Sequence, residues 1–252
     1  MSSDLSPADM AKRACAHRAA ELVESGMKIG LGTGSTAAFL VARLGERVRD
    51  EGLNIIAVPT SSRTAAQARE VGIKVVTLEE AGWLDLTIDG ADEFDPAFNL
   101  VKGGGGAHLQ EKIVAAASDR MVVIADATKE VATLGAFPLP VEVLKFGWKA
   151  TERLILEALA GLDVGGRGIS LRMAGDQPFV TDEGNYILDL HLKRIGNAHE
   201  TSLLLNQIPG VVENGLFLDM ADAVIIGHPD GTAILRDAVE KQGDNLFTEI
   251  AD

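Results

Sequence analysis

The stretch KIGLGTGSTAAFLVARL, residues 28–44, decides the fold. Lys28 to Leu31 reads as a short strand, Gly32-Thr33-Gly34-Ser35-Thr36 as a turn, and Phe39, Leu40 and Leu44 recur at helical spacing. Ahead of it, Ser6-Pro7-Ala8-Asp9 is a helix start: Ser6 caps, Pro7 suits the first helical position and Asp9 completes a box. Ala8, Ala11, Cys15, Ala19 and Leu22 follow at helical spacing until Gly26 stops the run. Beyond residue 44 the spacing predicts strands at Asn54–Val58, Lys74–Val76, Leu84–Ile88 and Met121–Ala125, and helices at Ser62–Val71 and Ala107–Ser118. Strands alternating with helices, several of them largely apolar, predict an α/β fold, a mostly parallel sheet with helices on both faces. Such sheets put their sites at the carboxyl ends of strands. Three polar clusters, Gly32–Thr36, Asp89–Asp95 and Lys102–Gly106, fall at those ends or just beyond them.

The pattern changes near Phe137-Pro138-Leu139-Pro140. Val141–Leu144 looks extended and Thr151–Ala160 helical. Phe179-Val180-Thr181 and Tyr186–Leu192 flank Asp182-Glu183-Gly184-Asn185 as the arms of a hairpin, and His199–Ile208 is helical. This run predicts a smaller α+β domain over residues 131–206. Strands at Val211–Leu218 and Ala223–Ile226, then a turn at Pro229-Asp230-Gly231, return the chain to the first sheet. The small domain is then an insertion, and the large one comprises residues 1–130 and 207–252.

Composition narrows the function classes. At 252 residues, with 46% hydrophobic and 24% charged residues, the chain buries a sizeable core and is not disordered. No apolar run reaches membrane-spanning length. The N-terminal MSSDLSPADMAKR lacks the apolar core of a secretory signal, and the lone Cys15 forms no internal disulfide, so a cytoplasmic location is expected. A formal charge of −14 and only 4% aromatic residues argue against nucleic acid and anionic membranes as partners. The same field repels phosphorylated metabolites, so a site for one must gather its cations locally.

Gly30-Leu31-Gly32-Thr33-Gly34-Ser35-Thr36 is either a tight βα turn or an anion cradle, with backbone N–H groups and the Ser35 and Thr36 hydroxyls as donors. It is not the dinucleotide fingerprint, because Ser35 takes the third glycine position, and no Gly-Lys-Ser/Thr makes it a P-loop. Asp89-Gly90-Ala91-Asp92-Glu93-Phe94-Asp95 crowds four carboxylates into seven residues. It is a solvated acidic loop, a hard-cation site, or a proton-transfer group in which neighbours raise one another's pKa. It does not fit the twelve-residue calcium loop, and nearby Lys102 can neutralise part of the charge. The run Lys102-Gly103-Gly104-Gly105-Gly106 costs about 0.5–1 kcal/mol of backbone entropy per glycine relative to alanine, which close approach of backbone to a ligand explains better than a linker does. Glu111 follows about one helical turn in, and Asp126-Ala127-Thr128-Lys129 closes the apolar strand before it. His108 and Glu111 share a helix face but have no third metal ligand in view, and Cys15 reads as a small core residue.

The strings GLGTGSTA, DGADEFD, KGGGGAHLQEKI, IADATK and FPLPVEV, in this order, with PGVVENGLFLDMADAVIIG near the end, resemble the type A ribose-5-phosphate isomerase family over nearly the whole chain. The resemblance implies a Rossmann-like main domain with a smaller, ferredoxin-like α+β domain. It implies interconversion of D-ribose 5-phosphate and D-ribulose 5-phosphate in the pentose phosphate pathway, no metal or organic cofactor, and a homodimer or homotetramer. It places substrate contacts at Thr33, Gly34, Ser35 and Thr36, at Asp89, Gly90, Ala91 and Asp92, at Lys102, Gly103, Gly104 and Gly105, at Lys129, and at Lys12. Glu111 corresponds to the catalytic base. The chemistry suits these residues: Asp89, helped by Asp92, opens the furanose, Glu111 moves the proton between carbons 2 and 1, and Lys102 faces the charge of the cis-enediolate. The rival readings are a non-catalytic sugar-phosphate sensor, an amino-sugar phosphate deaminase, and an acyl-CoA transferase on the same scaffold.

Overall fold

A computed structural model describes residues 5–237. Its central sheet has seven strands, in the spatial order Ala233–Asp237, Ala223–Gly227, Met121–Asp126, Leu86–Gly90, Lys28–Leu31, Ile56–Pro59 and Lys74–Val75. All neighbours are parallel except the last hairpin, in which Ala223–Gly227 and Ala233–Asp237 run antiparallel. Helices cover both faces because the strands are apolar on both. Val122 and Ile124 join a core with Cys15, Ala16, Leu40 and Leu44, whereas Met121, Val123 and Ala125 pack on the opposite side with Ala115, Phe94 and Phe217. Cys15 is wholly buried, and burial pushes its thiol up to about 12, so it behaves as a core residue.

From Lys28–Leu31 the chain moves outward on one side to Ile56–Pro59, and the strand on its other side is Leu86–Gly90. The strand order reverses between these two neighbours, which opens a crevice beyond their carboxyl ends. Gly32–Thr36 and Gly90–Asp92 leave the sheet at that crevice.

A second sheet of four antiparallel strands has the order Val211–Asn214, Leu139–Val143, Tyr186–His191, Gly168–Leu171, with helices Trp148–Leu159 and Ala198–Asn206 packed against it. The chain order β-α-β-β-α-β and this spatial order make the unit ferredoxin-like. Two strand assignments differ from the sequence reading. Val211–Asn214, expected to return to the first sheet, pairs with Leu139–Val143, and the chain rejoins the large sheet only at Ala223. Tyr186–His191 pairs with Gly168–Leu171 rather than with residues 179–181. The physical reason is that the turn docks elsewhere. Asp182 accepts hydrogen bonds from the N–H and hydroxyl of Ser62 at 2.7 and 3.2 Å, and Thr181 donates to buried Glu142 at 2.9 Å. The Ser62 contacts tie Asp182 to the large sheet's side of the molecule, and the Glu142 contact ties Thr181 to strand Leu139–Val143 of the small sheet. A three-stranded sheet of Glu93–Phe94, Leu100–Val101 and Leu216–Phe217 joins the two larger ones.

Candidate active site

The crevice holds a cavity of about 470 Å³. One wall is the start of helix Ser35–Asp50. Its N-cap is Gly34, at φ +128°, a conformation that favours glycine, and no side chain caps it. The first N–H groups therefore face the cavity with the positive end of the helix dipole, as at anion sites. Gly32 is required for a different reason. A Cβ there would lie 1.9 Å from Asp89 Oδ1, so the turn presses on the carboxylate.

Asp89 is fully buried. Its Oδ1 accepts from Thr33 N–H at 3.1 Å and Gly90 N–H at 2.7 Å, and its Oδ2 lies 2.9 Å from Lys102 Nζ. Lys102 Nζ also donates to Gly90 O at 2.6 Å, approaches Glu111 Oε2 at 3.3 Å, and stands 5.3 Å above the Phe217 ring. Glu111 lies in the first turn of helix His108–Ala116, which begins directly after the glycine run. Two carboxylates and one ammonium, all nearly dry, leave one negative charge in excess. Burial, with Asp89 beside it, pushes Glu111 up to about 8. Burial also raises Asp89 against the pull of Lys102, and the two carboxylates raise Lys102 despite its own burial. Glu111 thus binds a proton far more tightly than a solvated carboxylate, as a base working near neutral pH must.

The acidic run does not act as one crowded group. Asp92 alone of its carboxylates lines the cavity, and its Oδ2 accepts from Gly104 N–H at 2.7 Å. Glu93 turns away to accept from Gly135 N–H at 2.7 Å. Asp95 closes its own loop, accepting from Ala97 and Asn99 N–H, both at 2.9 Å. The raised pKa of Asp89 comes from burial first, not from its neighbours in sequence.

Of the residues singled out in the sequence, Lys12, Thr33–Thr36, Gly90–Asp92, Lys102–Gly105, Glu111 and Lys129 all line the cavity. Asp89 does not: it sits behind Lys102 and has no cavity-facing surface, because Gly32 covers it. His108 and Glu111 have separate partners. His108 is buried against Gly103, burial pushes its pKa down to about 3, and its Nε2 lies 3.4 Å from Glu213 O. Among the described residues no cluster of His, Cys, Asp and Glu is arranged to hold a metal ion.

Sequence reasoning gave no site role to several other residues at strand ends. Asp126 and Thr128, from the same string as Lys129, line the cavity, as does Pro229 beyond the strand Ala223–Gly227. Thr33 Oγ1 sits in a buried hydroxyl cluster, 2.8 Å from Thr60 Oγ1, 2.8 Å from Ser61 Oγ and 3.2 Å from Thr64 Oγ1. Thr60 and Ser61 follow the strand Ile56–Pro59, so the carboxyl-end rule that found the other clusters would have found them too.

A sequence profile of the family described as ribose 5-phosphate isomerase A (phosphoriboisomerase A) matches residues 56–231. The chain is 64% identical to the ribose-5-phosphate isomerase A of Ruegeria pomeroyi, over the full length of both. The structure superposes on ribose 5-phosphate isomerase A from Methanocaldococcus jannaschii with a TM-score of 0.82 at 39% identity, covering 90% of this chain and 97% of that one. A D-ribose-5-phosphate isomerase in complex with phospho-erythronic acid matches with a TM-score of 0.83 at 38% identity, again over 90% and 97%.

Proposed function

The chain belongs to the ribose 5-phosphate isomerase A family, and on that premise we propose how its cavity interconverts D-ribose 5-phosphate and D-ribulose 5-phosphate. The phosphate sits at the uncapped start of helix Ser35–Asp50, with the Ser35 and Thr36 hydroxyls as donors and Lys129 and Lys12 as the local cations. These groups offset the repulsion of a chain with formal charge −14. Bound phosphate then holds a small, flexible sugar in reactive geometry.

The furanose must open before it isomerises. Of the carboxylates in the acidic run only Asp92 reaches the cavity, and Glu111 is taken up by the carbon 2 step, so Asp92 carries the proton between ring oxygen and anomeric hydroxyl. Asp89 supports the reaction from behind by holding Lys102 and the Gly32–Thr33 turn. In the open aldose, ionised Glu111 takes the proton from carbon 2. Electrons from that C–H bond form the C1–C2 double bond of a cis-enediolate, and negative charge gathers on the carbonyl oxygen. Lys102 Nζ, 3.3 Å from Glu111 Oε2, is the cation beside it. Glu111 returns its proton to carbon 1 while the hydroxyl proton passes from O2 to O1. Atoms and charge balance within the substrate, and the step consumes no redox partner.

The observation that carries this reading is the buried Asp89–Lys102–Glu111 cluster at the cavity floor, opposite an uncapped helix start. The test is turnover of ribose 5-phosphate in EDTA by wild type and Glu111→Gln. A rate that persists in EDTA and falls by about 10²–10⁴ in the variant supports it. An active variant removes Glu111 from the role. A wild type that binds ribose 5-phosphate without turnover favours the sensor. A cytoplasmic setting and assembly as a homodimer or homotetramer belong to the same proposal; light scattering of the purified protein tests the second.

A further inference from the structure

The glycine run has no side chains with which to hold its own shape, so its conformation has to be imposed from outside. Three residues of the ferredoxin-like unit's side of the molecule enclose it. The Phe179 ring fills the space beside Gly106, where a Cβ would lie 2.5 Å from it, and Phe137 closes on Gly104 in the same way at 3.0 Å. The third is Arg172, which follows the strand Gly168–Leu171. Its NH1 donates to Gly103 O at 2.7 Å and to Gly104 O at 3.3 Å. Its Nε donates to Asp189 Oδ2 at 2.9 Å, and its NH2 completes a two-point grip on the other oxygen of that carboxylate. Asp189 stands on the neighbouring strand, directly opposite Ser170. The Arg172 and Asp189 side chains are only 14% and 17% exposed, so this pair is not a solvent-screened surface contact.

The geometry gives the pair a consequence at the reaction centre. The peptide unit between Gly103 and Gly104 is held at both ends: its carbonyl accepts from Arg172, and its N–H donates to Asp92 Oδ2 at 2.7 Å. A continuous chain therefore runs from Asp189 through Arg172 and one peptide plane to the carboxylate that faces the sugar. Rotation of that plane, which four glycines permit at little steric cost, would break the bond to Asp92 and move Gly104 and Gly105, which line the cavity.

We propose that Arg172, oriented by Asp189, is a positioning residue for the isomerase reaction: it fixes the Gly103–Gly104 peptide and, through it, the Asp92 carboxylate. The proposal rests on the isomerase reading above. A planar fork is required, because one side chain must grip a carboxylate and a carbonyl at once; lysine keeps the charge but has no such fork.

The experiment compares full-length wild type, Arg172→Met, Arg172→Lys and Asp189→Asn for ribose 5-phosphate kinetics, inhibition by inorganic phosphate, and thermal midpoint. Loss of a positioning contact that shifts reacting groups by about 1 Å costs on the order of 10²-fold. Arg172→Met is expected to lose roughly 10–100-fold in kcat, with the phosphate inhibition constant within about twofold of wild type, because the helix start is untouched. Arg172→Lys and Asp189→Asn should fall between the two. A folded Arg172→Met with kcat within threefold of wild type overturns the role. So does a loss of kcat matched by an equal loss of phosphate inhibition, which marks general disorder of the cavity. If Arg172→Met does not fold, Asp189→Asn decides by the same criteria. A wild type without turnover overturns the isomerase reading, and the positioning role with it; an active wild type beside an equally active variant overturns the positioning role alone.

Discussion

Replacing Glu111 with glutamine should inactivate the protein and stabilise it at the same time. In the folded chain the Glu111 carboxyl titrates at about 8, against an ordinary 4.5. The folded state therefore keeps a proton over a range of pH in which the unfolded chain has lost it. For a group whose folded value is raised, the stability present below pH 4.5 is lost as pH climbs to 8. At about 1.4 kcal/mol per pH unit, the ceiling on that loss is about 5 kcal/mol. Glutamine keeps the shape, removes the excess negative charge and leaves Asp89 and Lys102 as a neutral pair. Wild type and Glu111→Gln should thus be close in stability at pH 5, and the variant more stable by roughly 2–5 kcal/mol at pH 9. At this chain length that is a rise in thermal midpoint of roughly 5–15 °C, alongside an activity loss of about 10²–10⁴. The assay is thermal or denaturant unfolding of both proteins from pH 5 to 9, with turnover measured on the same preparations. A stability difference that does not change with pH would refute the burial argument, and activity within tenfold of wild type would refute the catalytic one.

The same carboxyl sets the pH profile: as Glu111 must be ionised to take the carbon 2 proton, kcat/KM should rise with pH through the neutral range and level off above about 8; a profile already flat at pH 5–6 would show that another base acts. Lys102→Met leaves Asp89 and Glu111 buried without their cation, so it should cost about 3–5 kcal/mol at pH 8 and about 10²–10³ in rate, read by denaturant unfolding and turnover. Gly32→Ala drives a Cβ to 1.9 Å from Asp89 Oδ1; it should destabilise by about 1–3 kcal/mol in denaturant unfolding and lower turnover, whereas a wild-type rate would mean that the turn is not needed to hold Asp89. Lys129→Ala should raise KM about tenfold or more with a smaller change in kcat, as loss of one charged phosphate contact does; an unchanged KM removes Lys129 from the phosphate.

Much of this was legible because the signals are local. A glycine turn between a strand and a helix, an apolar strand ending in aspartate and a four-glycine run each announce themselves within ten residues, and the parallel order of the sheet follows from their alternation. What each signal meant was less local. Gly34 is glycine for its backbone angle and Gly32 for the room it leaves Asp89, yet the two look alike in the sequence. The predicted hairpin around Asp182 does not form, because a turn with apolar arms is good evidence for pairing only when the turn has nothing else to do. Here it is hydrogen-bonded to Ser62, 120 residues away in sequence.

The acidic run makes the same point with most force. Asp89, Asp92, Glu93 and Asp95 are chemically similar and nearly adjacent, and no spacing rule ranks them. They part company only through what folds against each: Gly32 and Lys102 over Asp89, Gly104 beside Asp92, the Gly135 amide on Glu93, and a local loop around Asp95. Arg172 is one of 23 basic residues and carries no motif at all. Its place behind the glycine run follows from a pairing of Gly168–Leu171 with Tyr186–His191 that the sequence reading put elsewhere. The cavity's chemistry is therefore readable from short strings, while Arg172 and Asp189, which grip the glycine run, come from the second unit. Substitutions in that unit, at Arg172 and Asp189, should accordingly change the rate without changing a single residue that the substrate touches.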